Sequence, residues 1–345
     1  MSRRVSGWCL FLGVMILFGW FAGANDGRAD PGARDESIGM AVEFMDHAAA
    51  AFVCRDKGWF EAAGLKVESY EAYATGMALA SALARGDIEA AFICLVPAIN
   101  AYHNAGVPIK IVAGTHKHGY GIVARKEAVS RLSDLQNPDL RIGCVREGGA
   151  VDVLLRKAID IHDLDKDRIL SHVQRMSPAK QLLSIKTGQL DAAVLPEQWA
   201  SMAESSEFRM LLTSQEVWPE MQGSVLVVKE KLIKERPETV RKLIKVLQEA
   251  TDWINQNPRQ AAEIVAKELQ TVEGGLLKGV GADNRFSIAP DMLQRSMARL
   301  DYTTAIDPAK VQEIIDYMAR LGYIKSGFAA ADILDLRFLE GEPDQ

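Results

Sequence analysis

TGMALASALARGDIEAAFICLVP, residues Thr75–Pro97, reads as a helix, a glycine stop, a buried strand and a turn. Thr75 stands where an N-cap belongs, with a hydroxyl able to accept an orphan backbone N–H. Leu79 and Leu83, then Ala80 and Ala84, are spaced i, i+4 along one helical face. Gly86 falls at the left-handed position that commonly ends a helix. Ile88–Cys94 is a nearly unbroken apolar run, the pattern of a parallel strand covered on both faces, and Pro97 closes it.

The unit recurs at Ser177–Pro196, SPAKQLLSIKTGQLDAAVLP, in phase and without a gap. Ser177 takes the place of Thr75 and Gly188 that of Gly86, and Leu190–Val194 takes that of Ile88–Phe92. Two readings are open: two ordinary αβ units of one sheet, or two similar lobes, each with its own parallel sheet. In the second reading, loops at the carboxyl ends of strands face each other across a cleft, the usual ligand position in open α/β sheets.

The chain of 345 residues has room for about two domains. Its 48% apolar and 25% charged residues are those of a globular protein. A net charge of -6 and a pI near 5.6 argue against a nucleic-acid partner, which needs a basic face. The first residues carry Arg3 and Arg4, an apolar core at Leu10–Phe21 and the small-residue pattern Ala22-Gly23-Ala24. That is a secretory signal peptide, expected to be cleaved after Ala24; an uncleaved anchor is the rival. Residues 25–36 read as a flexible lead-in. The mature chain keeps Cys54, Cys94 and Cys144, an odd and widely spaced set that fits buried small residues better than a disulfide framework.

In order, Ser37–Phe44 reads as a strand, Asp46-His47-Ala48 opens a helix running to Phe60, and Lys66–Ser69 is a second strand. After the first repeat unit come a helix at Pro97–Asn104, a strand at Ile109–Ala113, a loop at Gly114–Tyr120 and a strand of alternating exposure at Gly121–Arg125. Leu140–Val145 opens the second half, with a helix from Val151 to about Ile159 and a strand at Arg168–Val173. Val225–Val228 carries the chain back, and helices follow, with breakers at Pro237, Pro258 and Gly274-Gly275 and helix starts near Pro290 and Pro308. The order βαβαβ, crossing, βαβαβ, crossing back predicts two lobes and a hinge at Gly121–Arg125 and Gln222–Val228.

Several segments carry a resemblance. Lys57-Gly58-Trp59-Phe60-Glu61-Ala62-Ala63-Gly64-Leu65-Lys66-Val67, the stretches 82–90 and 132–135, Gly188–Ala193, Pro237–Val240 and Ala250–Asn255 with Asn257-Pro258 are similar to motifs of one family. It is the periplasmic solute-binding proteins of ABC transporters, in the branch serving nitrate, taurine, alkanesulfonates and thiamine precursors (NMT1/THI5-like). The resemblance implies an α/β, two-lobed periplasmic-binding-protein (type II) fold, with parallel sheets flanked by helices and a cleft between the lobes. Lobe one would be residues 37–122 and 226–345, and lobe two residues 123–225 with the hinge strands. It further implies a periplasmic monomer that hands a small molecule to membrane permease subunits and carries no cofactor or catalytic residue.

By the same resemblance, ligand-binding positions fall in loops after strands: Asp46, His47, Thr75, Gly76, Cys94, Val96, His116, His118 and Tyr120 in lobe one. In lobe two they are Arg146, Gly148, Gly149, Ser177, Glu197 and Trp199. Arg146 beside two glycines at a helix start suits an oxyanion, the rival being an ordinary glycine turn. Trp199 suits stacking on a flat ring and Glu197 an amine or imidazolium, the rival being packing at the lobe's edge. The expected ligand is a small organic molecule held between the lobes, of an anionic sulfonate, nitrate or carboxylate type. The alternatives are a flat heterocycle of the hydroxymethylpyrimidine kind, a metal or chelate on the histidine and cysteine positions, or an enzyme on the same fold. No metal is assigned, since the histidines and cysteines have no compact ligand spacing. Neither a nucleophile elbow nor a phosphate-binding glycine loop is present.

Overall fold

The computed structural model describes residues 37–86, 88–276 and 288–339, with side chains left undescribed at 271–276. The signal-peptide and lead-in expectations, Asp87 of the first repeat and the chain's last residues lie outside this set. Among the described residues, eleven strands form two sheets. They are β1 (Ser37–Glu43), β2 (Lys66–Tyr73), β3 (Ala90–Cys94), β4 (Ile109–His118), β5 (Tyr120–Arg125), β6 (Ile142–Cys144), β7 (Val173–Arg175), β8 (Ala192–Pro196), β9 (Phe208–Thr213), β10 (Gln222–Lys229) and β11 (Leu300–Tyr302).

The first sheet has the order β11-β4-β10-β3-β1-β2 and the second β7-β6-β8-β5-β9. β11 aside, the two share one plan. In each, a central pair of parallel strands is followed by an antiparallel strand arriving from the other half, β10 in the first sheet and β5 in the second. The repeat therefore extends to strand register. Met40 lies opposite Ala90 in the first sheet and Ile142 opposite Ala192 in the second, the same offset that carries Thr75 to Ser177.

The local signals work as read. The Thr75 hydroxyl accepts from the Ala78 N–H at 3.2 Å and the Ser177 hydroxyl from the Lys180 N–H at 3.4 Å. Gly86 and Gly188 end their helices, Gly76–Arg85 and Pro178–Lys186, at φ 111° and 68°. Pro290 and Pro308 sit in the first turns of Pro290–Met297 and Pro308–Arg320. Strands β3 and β8 are buried along their whole length.

Other expectations are corrected. The segment Gly114–Tyr120 is not a loop: β4 continues to His118, paired on one side with β10 and on the other with β11. β5 is buried from Tyr120 to Ala124 rather than alternating, because helices cover it as well as sheet neighbours. Arg168–Val173 is not a strand. Asp165 caps a helix, Lys166–Leu170, by accepting from the Arg168 N–H at 3.0 Å, and β7 begins only at Val173. The first helix stops at Asp56 and restarts at Trp59 after Gly58, and β2 runs on to Tyr73. Pro97 does not end a turn but lies inside the Leu95–His103 helix, which starts directly after β3. The Pro258–Leu276 helix passes through Gly274-Gly275. No helix among the described residues is long and apolar enough to cross a membrane.

Candidate functional site

A cleft of about 270 Å³ opens where the carboxyl ends of parallel strands from both sheets meet. Its walls obey the repeat. Glu43 and Val145, Ala74 and Met176, Thr75 and Ser177, Gly76 and Pro178, and Cys94 and Pro196 all line it, each pair related by the offset of the sequence repeat. Met45, Met77, Pro97, Tyr120, Arg146, Gly149, Ala150, Val151 and Arg175 complete the lining.

Three helices of nine or more residues, starting at Gly76, Ala150 and Pro178, present their N-termini to this space. First-turn N–H groups have no intrahelical partner, and the aligned peptide dipoles leave partial positive charge there. Arg146 adds a full positive charge. It is exposed, and it forms no ion pair or side-chain hydrogen bond among the described residues. Arg175 is a second guanidinium in the lining but is already engaged. Its Nη1 donates to Asp152 at 2.6 Å and to the Val145 carbonyl at 2.9 Å. Asp152, fully buried, also accepts from Arg156 at 3.2 Å, from the Gly148 N–H at 3.2 Å and from the Tyr323 hydroxyl. It thus holds the Arg146–Gly149 turn and Arg175 in one arrangement.

The floor is made by Glu43, the last residue of β1. Its Oε1 accepts from the Cys94 N–H at 2.7 Å and its Oε2 from the Cys94 thiol at 3.0 Å. Burial pushes the carboxyl up to about 7, against the lowering effect of these bonds. Gly76 packs over it so tightly that a Cβ there would sit 2.3 Å from Glu43 Oε1 and 2.6 Å from Pro97. The thiol of Cys94 is held well above its ordinary range, first by burial and then by Glu43. His47 lies behind. Its Nε2 is 2.8 Å from the Gly119 carbonyl, which can only accept, so Nε2 carries the hydrogen and Nδ1 faces Cys94 Sγ at 3.5 Å.

Of the sequence-derived positions, Thr75, Gly76, Cys94, Tyr120, Arg146, Gly149 and Ser177 line the cleft. The others stand elsewhere. Gly148 forms the turn beneath Arg146, and Val96 is packed in the apolar core. Asp46 is buried, accepting from Ser296, and burial pushes it up to about 7. His116 and His118 are buried in β4, the first with its ring centroid 4.4 Å from that of His47 and tilted 56° to it, the second 3.4 Å from Asp301. Burial holds both below the usual imidazole range. Glu197 pairs with Arg299 at 2.8 Å and accepts from Ser201 at 3.1 Å, so its charge is spent internally. Trp199 is 4% exposed and belongs to the apolar core. Sequence reasoning missed Glu43, Arg175 and the methionines Met45 and Met77.

A model of the family described as NMT1-like matches residues 32–269. A provisionally named binding protein of Brucella abortus (strain 2308) is 25% identical over 257 residues, covering 69% of this chain and 73% of its own. Among solved structures, the alkanesulfonate-binding protein SsuA from Xanthomonas axonopodis pv. citri, bound to MOPS, superposes with a TM-score of 0.72 at 16% identity, over 88% of this chain and 99% of that one. A ligand-binding component of an ABC-type import system from Staphylococcus aureus, with zinc bound, superposes at 0.71 and 18% identity, over 88% and 98%. At these identities the structural likeness speaks for the fold.

Proposed function

The chain belongs to the NMT1-like family, and on that premise we propose that it is an extracytoplasmic substrate-binding protein of an ABC importer, which captures a small organic anion between two lobes. The observation that carries the ligand class is the convergence of three helix N-termini on a cleft edged by the guanidinium of Arg146, unpaired among the described residues. Such termini are ready-made anion sites, and a free arginine adds a bidentate grip. The apolar lining from Met45, Met77, Val151 and Met176 suits an organic body behind the anionic head. The sulfonate bound by the superposing SsuA is of this kind. Lobe one is read as residues 37–122 and 226–345 and lobe two as 123–225, and the protein as an exported monomer, cleaved after Ala24, that docks on permease subunits.

A binder fits better than a catalyst. The cysteine in the cleft is the reverse of an activated nucleophile, since burial and Glu43 disfavour its thiolate. A second reading, a flat nitrogen heterocycle, now rests on Glu43 and Tyr120 instead of Glu197 and Trp199. A buried carboxyl that titrates near 7 can pair with a ring nitrogen or amino group.

A thermal-shift screen over alkanesulfonates, nitrate, carboxylates and aminopyrimidines tests both. Stabilisation by an organic anion, with the compound recovered unchanged, is the expected result. Stabilisation by aminopyrimidines alone would favour the second reading, and turnover of the bound compound would overturn the binder.

A further inference from the structure

We propose that Glu43, His47 and Cys94 form a binding site for one divalent cation of the zinc class at the floor of the cleft. The three side chains are fully or almost fully buried and offer a carboxylate oxygen, an imidazole nitrogen and a sulfur, all within 4.8 Å of one another. Sγ is 3.0 Å from Glu43 Oε2 and 3.5 Å from His47 Nδ1. A tetrahedral zinc ion with bonds of about 2.0–2.3 Å has edges of about 3.3–3.6 Å between such ligand atoms. The two edges from Sγ therefore lie near those the ion imposes, and the third, between Glu43 and His47, is no longer than 4.8 Å.

The supporting groups are those a metal site uses. The Gly119 carbonyl takes the Nε2 hydrogen of His47, which fixes the tautomer and leaves the Nδ1 lone pair directed at the cluster. The Cys94 N–H holds Glu43 Oε1 and so leaves Oε2 as the coordinating atom. His116, whose ring packs tilted against that of His47, keeps a buried Nε2 without a hydrogen-bond partner among the described residues. Glu43 and Cys94 both line the cleft, so an ion can enter from it.

Charge decides the class of ion. A thiolate, a carboxylate and a neutral imidazole carry two negative charges, and a dication brings the buried site to zero. The thiol proton, and any proton on Glu43, leaves as the ion enters. Mixed sulfur, nitrogen and oxygen ligands suit zinc and cobalt rather than calcium or magnesium.

The purified protein, stripped with EDTA and dialysed, is titrated with Co2+ and separately with Zn2+, followed by calorimetry and near-ultraviolet absorption, without any organic ligand. One ion per chain is expected, with a thiolate-to-cobalt charge-transfer band that Zn2+ displaces. Cys94→Ser should abolish the band and weaken binding at least tenfold, whereas Cys144→Ser should change neither. Absence of stoichiometric uptake in the native protein, or a band that survives Cys94→Ser, overturns the site. Should Cys94→Ser fail to fold, Glu43→Gln serves instead, and unchanged affinity in that variant overturns it equally.

Discussion

Both oxygens of the Glu43 carboxyl are held by a single residue, Cys94, through its backbone N–H at 2.7 Å and its thiol at 3.0 Å. The two residues end neighbouring parallel strands, β1 and β3, so the bonds tie the strand ends together at the floor of the cleft. The same pair leaves a carboxyl buried where it is easily neutralised. Stability and ligand choice therefore meet at one place.

The first consequence is a dependence of stability on pH. An acid raised from 4.5 to about 7 in the folded state binds its proton more tightly there than in the unfolded chain. Its contribution is complete below pH 4.5 and is lost as pH rises through 7, a change of roughly 3 kcal/mol. His47, lowered by burial to about 4, acts in the opposite sense: its contribution is complete above 6.5 and is lost as pH falls toward 4. Glu43→Gln removes only the first dependence. Urea unfolding at pH 5 and pH 8 should show the variant gaining stability relative to the native protein at the higher pH. An equal difference at both pH values would show that Glu43 titrates normally.

Arg146→Ala should raise the Kd for an organic anion by roughly ten- to a hundredfold, because a charge-assisted contact contributes about 1.5–3 kcal/mol. Thermal stability should stay nearly unchanged, since the guanidinium is exposed. Arg175→Ala should instead lower the melting temperature, as it strips the buried Asp152 of one partner. Calorimetric titration beside thermal unfolding distinguishes the two arginines. Equal binding losses with no change in stability would contradict this division.

Gly76→Ala places a methyl group against Glu43 and Pro97 in a space that does not exist. Overpacking of this kind costs about 1–3 kcal/mol. The variant should melt lower and bind ligand more weakly, because the carboxyl must turn away from Cys94. Native binding and melting would mean that the floor yields.

Trp199→Ala tests whether this tryptophan is core or ligand platform. Its burial predicts a stability loss of about 3–5 kcal/mol in denaturant unfolding. Affinity of the fraction that remains folded should stay within twofold of native. A large loss of affinity at unchanged stability would restore the stacking role.

Closure is read from contacts that span the proposed lobes. Asn100 donates to the Gly148 carbonyl at 3.2 Å, and the Tyr323 hydroxyl donates to Asp152. If these hold a closed form, ligand should lower the radius of gyration in small-angle scattering. Tyr323→Phe should weaken binding severalfold and reduce that change. An unchanged radius at saturating ligand would argue against closure.

The sequence determined what is local and what is repeated. Caps at Thr75 and Ser177, stops at Gly86 and Gly188, and the apolar runs of β3 and β8 act through neighbours a few residues away, so their pattern was readable. Their in-phase recurrence carried the shared plan of the two sheets, and the family resemblance pointed to seven of the residues that line the cleft. Tertiary structure decided the rest. His116 and His118 look like solvent-facing loop residues until β10 and β11 pair on either side of β4 and bury them. Glu197 and Trp199 follow a ligand-side strand, but Arg299 and the core claim them first. Glu43 is one acid at the end of an apolar strand, with nothing to distinguish it. It becomes the floor of a site only when Cys94, 51 positions on, is laid beside it. Burial and partnership are set by residues distant in the chain, and they alone turn an ordinary carboxyl into one that titrates near neutrality.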